Sequence, residues 1–115
     1  MDVEATVARY LGRLLEGVEA SVVVPEPRPE RLVTVQRTGG GVSNRLDHPT
    51  LAVQSWAPTL MGASALAREV DDLMRSAPYE LPDVFGVEST TIQQWRDPDS
   101  GAPRYQALYT LTTSL

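Results

Sequence analysis

Apolar residues recur at helical spacing from the start of the chain: Val3, Val7, Leu11, Leu14, Leu15 and Val18, with Tyr10 beside them. Arg9, Arg13 and Glu16 fall on the other side. The spacing predicts an amphipathic helix over Asp2–Glu16, ended by Gly17. Gly12 inside it weakens it by up to about 1 kcal/mol relative to Ala. The run Ser21-Val22-Val23-Val24 then reads as a short buried strand, and Pro25-Glu26-Pro27-Arg28-Pro29 as an extended rigid link. Val33 and Val35 share a face of a second strand, Arg31–Arg37. Thr38-Gly39-Gly40-Gly41 breaks it and opens a mobile loop of about a dozen residues, reaching Pro49. Thr50–Trp56 is a third strand, with Leu51 and Val53 on one face and Trp56 on the other.

A second helix follows, capped by Thr59 or Ser64. Its stripe is Ala63, Leu66, Ala67, Val70, Leu73, Met74 and Ala77. Arg68 with Asp72 and Asp71 with Arg75 stand at i,i+4 spacing on the outer side, and Pro78 and Pro82 end the helix. The last third reads as a long hairpin: Val84–Trp95, a turn over Arg96–Pro103, and Arg104–Leu115. In the second arm Tyr105, Ala107, Tyr109, Leu111 and Thr113 share one parity, and Arg104, Gln106, Thr110 and Thr112 the other. Each arm reaches roughly 40 Å at about 3.3 Å per residue, which the shorter strands elsewhere are not expected to flank along its length. Unpaired strand edges invite a partner chain, so this hairpin suggests an assembly subunit.

The predicted fold is α+β, a two-layer arrangement in the order αβββαββ. Two helices cover one face of a mainly antiparallel sheet of about four or five strands. The length, 115 residues, suits a single domain over residues 1–115. Net charge is −5, and the ten basic residues are all Arg and scattered. That balance argues against a protein that tracks phosphates. No cysteine is present, so disulfides, thiolate catalysis and Cys-ligated metals are excluded. No apolar run is long enough for a spanning helix.

Candidate chemistry is sparse. His48, the one histidine, sits in a loop near Ser43 and Asp47 without the spatial set a nucleophile requires. The Gly run lacks the Lys-Ser/Thr and following helix of a phosphate loop. Asp97, Asp99 and Ser100 are better explained by turn chemistry than by a cation loop. Trp95-Arg96 at the hairpin turn is the stronger contact candidate, since Trp and Arg anchor interfaces.

The segments Arg28–Gly40 and Leu46–Ala57, the helix containing Ala65-Leu66-Ala67, and the strand opening Pro103-Arg104-Tyr105 together resemble small tail terminator (tail completion) proteins of long-tailed phages and prophages. The likeness runs over nearly the whole chain. It implies a ring, usually a hexamer, that caps the head-proximal end of the tail tube, stops tube growth and docks to the head–tail connector or stopper. DNA would pass through the channel without specific binding. Catalysis, cofactors and membranes play no part in such a role. The place would be the virion tail or neck, and the host cytoplasm during assembly. Under this resemblance Arg37, Thr38, Gly39, Gly40, Arg45, Asp47, Trp95, Arg96 and Arg104 are the candidate contacts with a neighbouring subunit or the tube. A head–tail stopper or adaptor is the alternative, followed by a small ligand-binding domain that uses the Gly loop and His48.

Overall fold

A computed structural model describes every residue, Met1–Leu115. The architecture is α+β, with two helices on one face of a mixed, mostly antiparallel sheet. Helix α1 is Val3–Leu14, capped by Asp2, whose carboxylate accepts from Ala5 N at 3.1 Å. Helix α2 is Leu60–Glu80, capped by Thr59, whose hydroxyl accepts from Gly62 N at 3.0 Å. The helix runs two residues beyond Pro78, so that proline does not end it; Leu81 N still bonds Ala77 O at 2.8 Å.

Eight strands replace the four or five expected: β1 Glu19–Ser21, β2 Leu32–Gly39, β3 Val42–Ser43, β4 Leu46–Asp47, β5 Thr50–Trp56, β6 Val84–Ser89, β7 Gln93–Gln94 and β8 Arg104–Thr113. Five strands, not three, precede α2, and three, not two, follow it. One pair, β1 with β2, is parallel. The remaining pairs are antiparallel, and the path β1-β2-β5-β8 carries β6 and β7 on the far side of β8.

Period-2 alternation explains the core. Val33, Val35, Leu51, Val53, Ala107, Tyr109 and Leu111 line one sheet face and meet Val7, Tyr10 and Leu11 of α1 and Leu66, Val70, Met74 and Ala77 of α2. At about 1.5–3 kcal/mol for a fully buried large apolar side chain, this layer supplies the main driving force. The opposite face is polar, with Gln54 reaching Gln106 at 2.8 Å and Thr34 at 3.3 Å.

Four expectations fail here for physical reasons. Strand β8 is not left without partners: β5 flanks it from Arg104 to Thr110, β4 reaches Thr113, and β6 and β7 fill the other side. The expectation that the C-terminal ribbon goes unflanked therefore fails for its second arm, while the outer side of its first arm carries no strand. Its first arm is also broken into β6 and β7. Five residues from Ser89 to Gln93 lie opposite four from Tyr109 to Gln106, and the Thr90 hydroxyl accepts from Leu108 N at 3.0 Å in place of a backbone carbonyl. Val22, Val23 and Val24 are exposed rather than buried; the strand lies just before them. Finally, Asp71 is not a solvated partner on the outer side. It is buried against Tyr109 while also holding Arg75, and Arg68 makes no ion pair with Asp72.

Candidate assembly surfaces

The segment from Thr38 to Pro49 is a clasped hairpin, not a mobile loop. Strand β3 continues β2 and β4 leads into β5, with Val42 opposite Asp47 and Ser43 opposite Leu46. Asn44 and Arg45 both take positive φ, 53° and 63°, which turns the chain in two residues. His48 N donates to Gly41 O at 3.0 Å and closes the base of this arm. Gly40 has φ 94°, and a Cβ there would lie 2.0 Å from His48 O. Only glycine fits that approach. Gly39 and Gly41 face open space, so one glycine of the three is required by packing.

Arg37 locks the arm. Its guanidinium donates to Asp47 Oδ2 at 2.7 Å and Oδ1 at 2.9 Å, and to Gly39 O and Gly40 O at 3.1 and 3.3 Å. This forked geometry needs Arg rather than Lys. The Arg37 hydrogen bond holds the Asp47 carboxyl below its ordinary range, and the same bond raises Arg37. Glu4 of α1 takes Arg37 N–H at 3.0 Å. Beyond this clasp Val42 is 63% exposed, and Ser43, Asn44 and Arg45 are also exposed.

A second cluster lies at the other end of β5, about 20 Å away by strand rise. Trp56 is 4% exposed and has two guanidiniums over its ring, Arg28 at 5.0 Å and Arg104 at 4.8 Å from the ring centre. Arg104 is buried, which lowers its pKa; it donates to Trp95 O at 2.7 Å and approaches Asp97 at 3.7 Å. Asp97 organises the turn by accepting from the Ser100 hydroxyl and from Ser100 N, and the hydroxyl bond depresses its pKa first. Arg96 is tied to Gly101 O at 2.8 Å. Trp95 presents 46% of its surface to solvent.

The candidate residues thus fall into two groups at opposite ends: Arg37, Thr38, Gly39, Gly40, Arg45 and Asp47 in the arm, and Trp95, Arg96 and Arg104 at the turn. Arg104 is structural in this setting, being sequestered beneath Trp56 and the turn. Sequence reasoning missed the Arg28–Trp56–Arg104 stack, because Arg28 lies in the proline link. It also missed the exposed Phe85, the only Phe in the chain, whose solvent position follows from pairing rather than composition.

The notch beside Trp56, about 260 Å³, has Ser100 as its only hydroxyl, and that hydroxyl is engaged with Asp97. His48 belongs to the opposite end. No three His, Asp or Glu side chains converge as a metal site. No helix is long and apolar enough to cross a membrane.

No protein-family model matches the chain. No curated protein matches it either. Among solved structures, a chain from the virion of a native gene transfer agent particle is similar, with a TM-score of 0.54 and 16% sequence identity, covering 98% of this chain and 87% of that one. At that identity the likeness is one of fold.

Proposed function

We propose that this protein is a structural component of a phage-like virion, acting as the ring-forming terminator of a tail tube. The carrying observation is the fold likeness, over 98% of the chain, to a chain of a gene transfer agent virion. Copies form a ring, a hexamer by the sequence resemblance, that caps the head-proximal end of the tube, halts its growth and meets the head connector. Assembly takes place in the host cytoplasm. The pinned arm supports this reading: a hairpin ordered before contact loses little conformational entropy when it docks, and its tip leaves Val42 and Arg45 free to touch a tube subunit. Net charge of −5 suits a channel through which DNA slides without adhering. The role involves no catalysis and no cofactor.

The test is to polymerise tail tube protein with and without this chain and view the products by electron microscopy. Capped tubes of limited length are expected. Tubes that grow without limit, with no added density at either end, refute the proposal. Trp95→Ala and Arg96→Ala are expected to weaken assembly while the protomer stays folded; unchanged assembly removes the turn from the interface.

A further inference from the structure

Main-chain hydrogen bonding leaves one long sheet edge open. Leu111 donates its N–H to Pro49 O at 2.9 Å, on the β5 side of β8. Leu111 is also the register partner of Val87. In an antiparallel ladder such a pair exchanges no hydrogen bonds, so the N–H and C=O of Val87 point away from β8. Alternation turns those of Ser89 the same way, and Thr90 N, pointing inward to Leu108 O at 2.9 Å, agrees with it. No strand pairs with β6 or β7 on that side. Phe85, 55% exposed, and Trp95 bracket this edge.

The opposite end of the sheet is treated differently. Strand β1 covers β2 only from Leu32 to Thr34, and farther along Glu4 caps Arg37 N–H. Directly after β1, however, Val22, Val23 and Val24 are 37%, 63% and 46% exposed. Ser21 Oγ holds Val23 N at 3.2 Å and Pro25 follows, so the run is kept out of its own sheet. Three consecutive exposed valines are an unusual surface for a lone soluble chain.

We propose that copies join head to tail through these two elements, the Val22–Val24 run of one seated on the Phe85–Ser89 edge of the next. The inference rests on the ring reading above and assigns its contact. The outward amides of Val87 and Ser89 take the main chain of the valine run, and its side chains bury against Phe85. Each copy gives one surface and receives the other, so a dimer exhausts neither and a ring closes where the rotation allows. Pairing of the edge with its own copy would stop at two and leave the valines in water.

Two variants test this by sedimentation velocity and native mass measurement. Val23→Asp spoils the donor. Val87→Pro spoils the receiving edge, and because Val87 N–H is unused within the protomer the internal ladder survives. Phe85→Asp replaces it where thermal melts show the proline variant unfolded. The wild type is expected to oligomerise and each variant alone to be monomeric. An equimolar mixture should give one-to-one dimers and nothing larger, since each partner keeps one competent surface. Oligomers of Val87→Pro, self-pairing of Val23→Asp, or a wild type monomeric at its highest soluble concentration each overturn the proposal. If both variants still cap tubes, this contact fails while the terminator reading stands.

Discussion

Replacing Tyr109 by Phe isolates one bond that ties α2 to the central strand. Tyr109 is fully buried on β8, and its hydroxyl donates to Asp71 Oδ1 at 2.8 Å. Asp71 is 8% exposed, and its other oxygen accepts from Arg75 Nε at 2.9 Å. Burial first, and then the Asp71 acceptor, push the Tyr109 pKa above its ordinary value, so the phenol remains a donor at every working pH. Tyr109→Phe removes one oxygen, leaving almost no cavity. The loss is therefore nearly all hydrogen bond, and a bond to a charged acceptor contributes about 1.5–3 kcal/mol. Asp71→Ala strands the phenol instead and also releases Arg75. In the double variant the Arg75 loss cancels across the cycle, so the coupling isolates the Tyr109–Asp71 pair.

Urea unfolding at neutral pH, followed by Trp fluorescence, measures all four species. Trp56, being buried, reports the transition. The expected coupling is about 1–2 kcal/mol, and Tyr109→Phe alone should lower Tm by about 4 °C per kcal/mol lost. A Tyr109→Phe protein within about 0.5 kcal/mol of wild type, or additive single variants, would show that the bond adds nothing beyond the packing of the ring.

Three further outcomes follow from the two ends of the sheet. Gly40→Ala is expected to destabilise the hairpin arm by more than about 2 kcal/mol through the clash with His48 O, while Gly39→Ala and Gly41→Ala change stability by less than about 1 kcal/mol; thermal melts, with amide exchange at Val42–Asp47, separate them, and equal effects refute the assignment. Because Asp47 is depressed in the folded state, its contribution is complete above the unfolded carboxyl pKa near 4 and is lost as pH falls through the lower folded value; the stability gap between wild type and Asp47→Asn should shrink across that range in acid melts, and a constant gap would refute it. Arg104→Lys forfeits the Nε bond to Trp95 O and the guanidinium contact with the Trp56 ring, so a loss of about 1–3 kcal/mol with altered Trp fluorescence is expected, and wild-type melting would refute the structural role of the guanidinium.

Much of the fold was legible because faces are written locally. The 3.6-residue stripes located both helices, and alternation in Thr50–Trp56 and Arg104–Leu115 gave the core side of β5 and β8. The failures have local causes of their own. Three valines read as buried by composition, yet Ser21 and Pro25 hold them out of the ladder. Asn44-Arg45 lacks the glycine that usually marks a two-residue turn, so a clasped arm looked like a loop. Asp71 has the spacing of a surface ion partner, and nothing in its own helix shows that Tyr109 arrives from β8.

What alternation cannot carry is the identity of a strand's neighbours. Side chains at i and i+2 show which face meets the core, whereas the sideways N–H and C=O groups are the same for every residue. Whether they are satisfied depends on which distant strand lies alongside. The side of β8 away from its hairpin partner looked empty because its flank comes from β5 and β4, neither long enough to suggest the task. The open edge lies on the first arm of the expected hairpin, now β6 and β7, which hang on β8 from outside. Which sheet edge stays open is therefore the part of this protein least visible in its sequence. A substitution such as Val87→Pro, which leaves every ladder hydrogen bond within the protomer in place, is accordingly expected to act chiefly on association.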